Sequence, residues 1–265
     1  MSPLHKYLNQ IFREAKKYAD KTVEHFDPDD IHKMRVAFKK IKAAFYFEQF
    51  YLPQLDEEKM KKLKKIFGDA GKIRELQLLK DAIKSSPGGD ETAKEKVIRE
   101  LRREEKKAKK KFHDHFQDSG HSALNGLRKT MVDESKKLTG TDFKLYFQSR
   151  LEGIRIQIQT AQEEKDYHQV RKQLKELKYN LSFADEDSKR LVYAVFPEKE
   201  LSQLEEDLGN WHDQVIIISW LKRLISGKEN EKQPSIQPFI DLMLKAAQEN
   251  ADHMLDAVRK RMPVK

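Results

Sequence analysis

The chain has 265 residues, carries a net charge of +9 and contains no cysteine, which excludes a disulfide framework, a thiolate zinc site and a cysteine nucleophile. Hydrophobic residues make up 38% and charged residues 37%, a polar balance, but the apolar residues recur periodically and so argue against disorder. The positive excess points to an anionic partner, and with no apolar N-terminal core and no apolar run of membrane-spanning length the expectation is a cytoplasmic protein.

Glycine and proline are sparse, at 10 and 8 residues, which favours long helices over a β-rich fold. Ser2-Pro3 predicts a capped helix start, with the first helix running from about Leu4 to Phe26. Asp27-Pro28-Asp29-Asp30 ends it and supplies acidic caps for the second, which continues through Phe45, Tyr46, Phe47, Phe50 and Tyr51 to Pro53. Those aromatics are expected in the core, because the helix that carries them must pack. A third helix starts near Asp56, carries Lys61, Lys62, Lys64 and Lys65, and runs to about Lys84, with Gly68 and Gly71 predicting a kink or break. Walker spacing is absent there, so a phosphate-cradling loop is disfavoured.

Ser85-Ser86-Pro87-Gly88-Gly89 reads as a turn. The fourth helix, about Glu91 to Phe116, mixes ten Lys or Arg between Lys94 and Lys111 with four Glu, but its Lys106–Lys111 end is free of acid and could extend an anion surface. His113-Asp114-His115 is a poor metal pair, since residues two apart face different ways, and reads as a helix terminus. Residues 119–140 form a connection with a short helix around Ala123–Leu138. Helices from Gly140-Thr141-Asp142 to about Glu164, Asp166 to Ala184, Glu198 to Ile225 and Ile236 to Arg261 follow, with a loop holding Gly227, Pro234 and Pro238, and Pro263 as the stop. No strand-type alternation occurs.

The feature that organises this series is a repeat. Asp30-Ile31-His32-Lys33-Met34-Arg35, continuing to Lys39 and Lys42, returns as Asp166-Tyr167-His168-Gln169-Val170-Arg171, continuing to Lys175 and Lys178, with no gap. At about 100° per residue, Arg35, Lys39 and Lys42 fall within roughly 80° of His32 on the helix wheel. Met34, Phe38, Ile41 and Phe45 form the adjacent stripe, as do Val170, Leu174, Leu177 and Leu181 in the second copy. A merely solvated face would mix Glu with Lys to gain i,i+4 pairs. These stripes hold no acid, so an anion lying along them is the better reading. Residues 1–140 carry 33 basic against 23 acidic residues, a balance of +10, while residues 141–265 carry 20 against 21, a balance of −1. The second stripe is therefore basic by placement and not by bulk charge.

The repeat reaches further, with a gap. Phe67-Gly68 followed by Arg74-Glu75 matches Leu208-Gly209 followed by His212-Asp213. The order helix, basic helix, glycine-bearing helix, long helix occurs twice, which predicts an all-α protein of two four-helix-bundle repeats, residues 1–118 and 141–265, related by a pseudo-two-fold and joined by 119–140.

The doubled His-x-x-Arg-x-x-x-Lys-x-x-Lys helix, each copy followed by a Leu/Phe-Gly turn and then Arg-Glu or His-Asp, resembles the CHAD family, the conserved histidine α-helical domain. The resemblance covers nearly the whole chain. It implies two four-helix bundles around a basic central cavity that binds inorganic polyphosphate. By matched position it assigns polyphosphate binding to His32, Arg35, Lys39, Lys42, His168, Arg171, Lys175 and Lys178, with Arg74 and His212 as second-tier phosphate-binding residues. Lysine stands at four of the eight positions and binds phosphate as a point charge, where arginine would offer a fork. The expectation is a single stand-alone domain, not an enzyme, without catalytic residues, metal or cofactor, and associated with polyphosphate granules.

Two rivals are weighed against this. A nucleic-acid-binding basic helical protein fits the charge and the lysine-rich fourth helix, but no helix-turn-helix or RNA-recognition signature is present. A metal-dependent phosphohydrolase needs several converging His and carboxylate ligands. His212-Asp213 alone does not supply them, and the stripes offer cations that repel a metal.

Overall fold

The computed structural model describes residues 2–53, 55, 57–86, 91–226 and 236–262, and every regular element among them is helical. Ten α-helices follow in order: α1 (Pro3–His25), α2 (Pro28–Tyr51), α3 (Glu57–Ser85), α4 (Glu91–His115), α5 (His121–Glu134), α6 (Gly140–Thr160), α7 (Glu164–Asn180), α8 (Glu186–Val195), α9 (Glu198–Ser226) and α10 (Gln237–Arg261). A π-helical turn, Phe116–Gly120, joins α4 to α5, and a 3₁₀ turn, Ser135–Lys137, follows α5. The start at Asp56, the Pro87–Gly89 part of the predicted turn, the Gly227 and Pro234 loop and the stop at Pro263 lie outside the described residues.

The caps explain where the helices begin. The Ser2 hydroxyl accepts from the His5 amide, and Pro3 occupies the first turn, where its missing N–H costs nothing. Phe26 closes α1 in the left-handed conformation, φ 53°, its amide donating to Thr22. Asp27 then accepts from the amides of Asp29 and Asp30 and starts α2. Capping boxes open α6, with Thr139 and Asp142, and α7, with Glu163 and Asp166. The aspartate of the second repeat copy is thus part of a cap. Its carboxylate accepts from the Gln162 and Glu163 amides at 3.0 Å, which holds its pKa below the usual carboxylate range.

The chain divides into two compact units. The first comprises Met1–Arg74 and Ala108–Leu201. In it α1 packs along α2, α2 against α7, α7 against α6, α6 against α8, and α5 against α1. Both predicted packing stripes are in the core: Met34, Phe38, Ile41 and Phe45, and Val170, Leu174, Leu177 and Leu181, are all buried. Phe47 sits at the centre of an aromatic cluster, with ring centroids 4.9 Å from Phe143, 4.8 Å from Tyr146 and 5.2 Å from Phe183. Such offset and edge-on contacts each contribute about 0.5–1.5 kcal/mol beyond the buried area. Not every predicted core aromatic is inside: Phe50 is 46% exposed, its helix having turned that face to solvent.

The second unit comprises Glu75–Lys107 and Ser202–Lys265. Its buried apolar residues include Leu79, Ile83 and Leu101, Leu208 and Trp211 of α9, and Ile240 and Val258 of α10. The ion pair of Lys80 with Glu105, and the Arg261–Asp207 pair at 3.1 Å, tie its helices together.

Two expectations change. First, α3 runs unbroken through Gly68 and Gly71. The glycines do not end it, because glycine weakens a helix by only about 1 kcal/mol and tertiary packing overrides that. Second, α8 is an extra helix between the predicted ones. Asp185 caps it by accepting from the Ser188 amide at 2.8 Å.

Candidate functional site

The two basic ladders belong to α2 and α7, which are packed on one another in the first unit. His32 is the most exposed of the eight though still partly covered, whereas Arg35, Lys39 and Lys42 are half-buried, as are His168, Arg171, Lys175 and Lys178. Half-burial suits long cations, whose stems lie on apolar surface while the heads reach water.

Arg35 shows how the neighbouring helix sets a ladder residue. Its guanidinium lies over the Phe67 ring, 4.7 Å from the centroid, and Nη1 donates to the Phe67 carbonyl at 3.4 Å. Both belong to α3. A Cβ on Gly71 would come within 2.5 Å of Nη1, so this glycine clears the seat of the guanidinium. That is the physical reason for a glycine inside an intact helix.

Beside Arg35, Lys39 and Lys42 share a pocket with Lys64 of α3, floored by Phe38, Ile41, Leu63 and Phe67. The ammonium groups of Lys42 and Lys64 both approach the Tyr46 ring, at 5.6 and 5.1 Å. Lys64 is a neighbour of the ladder that sequence reasoning did not single out. The run Lys61, Lys62, Lys64, Lys65 was visible, but which lysine turns toward α2 depends on how α3 packs.

Arg74 of α3 joins His32. Partial burial pushes the pKa of His32 below 6.5, and the positive fields of Arg74, Lys39 and Arg35 push the same way, against a weaker pull from Asp29. His168 is also lowered, by burial and then by Lys172 and Arg171. Lys172 lies off the predicted stripe yet acts on its histidine. Both imidazoles thus sit in positive local fields. The other second-tier residue, His212, is half-buried on α9 in the second unit, its ring 6.3 Å from that of Trp211. All the other predicted binding residues belong to the first unit.

An acid stands near one end of the first ladder. Glu176 of α7 accepts from the Tyr146 hydroxyl at 3.1 Å and pairs with Arg150 at 3.2 Å. Burial raises its pKa, while Arg150, the Tyr146 hydrogen bond and Lys42 lower it. Asn180 completes the network by donating to the Tyr146 oxygen at 2.8 Å. The Lys42 end of the ladder is therefore partly compensated by its own protein.

The acid-free end of α4 is engaged in the same way. Lys111 pairs with buried Asp69 at 3.1 Å, and His115 meets the same carboxylate. Lys110 pairs with Asp114 at 2.8 Å, and Lys109 lies over Phe26 at 5.4 Å. Lys109 and Lys111 thus tie α4 to the end of α1 and to α3, while Lys110 pairs within α4. His115 is a helix terminus as predicted, and the clamp on Asp69 is what fixes it.

Among the described residues, no three His, Asp or Glu side chains converge as metal ligands would, and no helix is long and apolar enough to cross a membrane.

With this geometry in view, comparison with known proteins is informative. The sequence model of the family described as the CHAD domain matches residues 6–222. Among solved structures, the chain is similar to the crystal structure of the CHAD domain from the plant Ricinus communis, with a TM-score of 0.77 and 16% identity, covering 98% of this chain and 90% of that one. At that identity the likeness shows the fold alone. No curated protein matches.

Proposed function

The chain belongs to the CHAD domain family, and from that premise we propose that it binds inorganic polyphosphate without catalysis, along the ladders His32, Arg35, Lys39, Lys42 and His168, Arg171, Lys175, Lys178. The observation that carries this reading is that two acid-free ladders, far apart in sequence, stand on helices that pack together in one compact unit. Within each ladder one side chain follows another about every 5 Å, one helical turn, a repeat that a flexible chain with a charge at each phosphate can follow. Arg74 and Lys64 extend the first ladder from α3.

In this reading the repeats 1–118 and 141–265 are related by a pseudo-two-fold, with 119–140 between them, and the ladders line a basic cavity that focuses the field on the anion. His212 contributes at second tier. The protein works in the cytoplasm at polyphosphate granules, where it holds polyphosphate and does not cleave it.

Capture of this kind releases counterions, so log Kd is expected to rise linearly with log salt, and affinity to grow with chain length until the ladders are filled. Titrating polyphosphate of graded lengths at several salt concentrations measures both. Length-independent affinity would contradict the ladder. Displacement of long polyphosphate by equal charge concentrations of RNA at moderate salt would favour the nucleic-acid reading instead.

A further inference from the structure

We infer that the groove between α1 and α5 is a second anion site, separate from the ladders, that takes a short oligophosphate group. Asn9, Arg13 and Lys16 lie at spacings of four and three on α1 and therefore share a face. Asn125 and Arg128 do the same on α5. The two faces line one groove of about 370 Å³, floored by Phe12 and Leu124. No acid lines it, and it shares no residue with the pocket beside the first ladder.

The register of the two helices is fixed at both ends. Arg128 Nη1 donates to Asn9 Oδ1 at 2.8 Å, and His121 lies 3.4 Å from Asp20. Lys16 reaches the same Asp20 at 2.8 Å. Between these closures stands Arg13, which is exposed and takes part in no ion pair or hydrogen bond among the described residues. A groove bounded in this way suits a compact anion, not a chain passing through. Arg13 and Arg128 bring two guanidinium groups, with one Arg128 arm already on Asn9 and the Lys16 charge held by Asp20, and guanidinium pairs bidentately with phosphate. The Asn125 amide adds neutral donors, while that of Asn9 also donates to the His5 carbonyl at 3.0 Å. The volume lies in the range that holds one small molecule. The ligand chemistry is a short oligophosphate, supplied either as the free inorganic anion or carried by a nucleoside.

The test removes the ladders first, so that it stands whether or not they bind polyphosphate. In the full chain carrying Arg35→Glu, Lys39→Glu, Arg171→Glu and Lys175→Glu, inorganic tripolyphosphate and metal-free adenosine triphosphate are titrated separately by calorimetry at low salt. Saturable one-to-one binding of tripolyphosphate is expected, weakened about tenfold by Arg13→Ala and further by adding Arg128→Glu. Equal binding of the two probes assigns the site to the phosphate group alone, and tighter binding of the nucleotide assigns it to a nucleoside carrier. Absence of saturable binding, or binding that Arg13→Ala leaves unchanged, overturns the site. Should the ladder-reversed chain fail to fold, the side-chain amide signals of Asn9 and Asn125 in the native chain serve instead. Their movement on adding tripolyphosphate supports the site, and their stillness at saturation overturns it.

Discussion

His32 and His168 both hold a proton less tightly than a free imidazole, for the same two reasons: partial burial and neighbouring cations. An anion against the ladders reverses the second cause. Both pKa values are then expected to rise on binding, with proton uptake, so that affinity for polyphosphate increases as pH falls through the window between the free and bound values. Imidazole proton shifts followed by NMR, with and without saturating polyphosphate, check this. Unmoved pKa values would place the histidines outside the field of the ligand. Glu48 is the opposite kind of residue. It is fully buried in α2, neither carboxyl oxygen has a hydrogen-bond partner among the described residues, and burial, then Glu134, raise its pKa to about 9 from 4.5. The folded chain keeps this proton where the unfolded chain has lost it, so its contribution to stability is full below pH 4.5 and is lost as pH rises toward 9. The slope in that window is about 1.4 kcal/mol per pH unit. Glu48→Gln is expected to flatten the pH dependence of chemical denaturation between pH 5 and 8, whereas parallel curves for the two proteins would contradict it. Glu48 was not legible in the sequence as a neutral core acid, because a glutamate after Phe45-Tyr46-Phe47 reads equally well as a solvated helix position.

At the scale of elements, Gly71 and Gly68 look alike in sequence and differ in space. Alanine at Gly68 meets nothing within 4 Å, and in mid-helix it is expected to stabilise α3 by up to about 1 kcal/mol. Alanine at Gly71 pushes on the Arg35 guanidinium. The flexible end of that side chain can move aside, so the fold survives, but Arg35 leaves its place on Phe67. Gly71→Ala is therefore expected to weaken polyphosphate binding several-fold with thermal stability preserved, and Gly68→Ala to raise stability with binding unchanged. Calorimetric titration beside thermal melts separates the two, and equal affinity for both variants would show that the seat of Arg35 is irrelevant to binding. The wheel of α2 was readable, since Met34, Phe38, Ile41 and Phe45 are buried as their period requires. Of what the ladder residues lean on, Tyr46 four residues past Lys42 is local to α2, but Phe67, Lys64 and Glu176 were not readable, because they come from tertiary packing. Ten-residue α8 escaped because a short charged segment offers too few turns for its period to stand out. The break predicted for α3 is absent for a related reason: at Gly71 sequence shows the missing side chain and not the arginine that uses the space.

For the molecule as a whole, the charge balance of +10 in residues 1–140 and −1 in the rest says where cations are abundant but not where they act. Both ladders fall in one compact unit assembled from Met1–Arg74 and Ala108–Leu201, which takes α2 from one sequence repeat and α7 from the other. The all-helical class and the family were legible from periodicity and from the doubled motif. The composition of the compact units was not, because contacts such as Phe47 on Phe143 and Tyr146 join residues far apart in the chain. Replacing Arg35, Lys39, Arg171 and Lys175 together by glutamate changes the local charge by eight units, two for each residue. Each change is on a half-buried side chain, so circular dichroism must first show that the helical content persists. The deciding measurement is the affinity of that variant for long polyphosphate at fixed moderate salt. A loss of at least about a hundredfold is expected, together with a shallower salt dependence. An affinity equal to that of the native chain, in a variant that is folded, would contradict it.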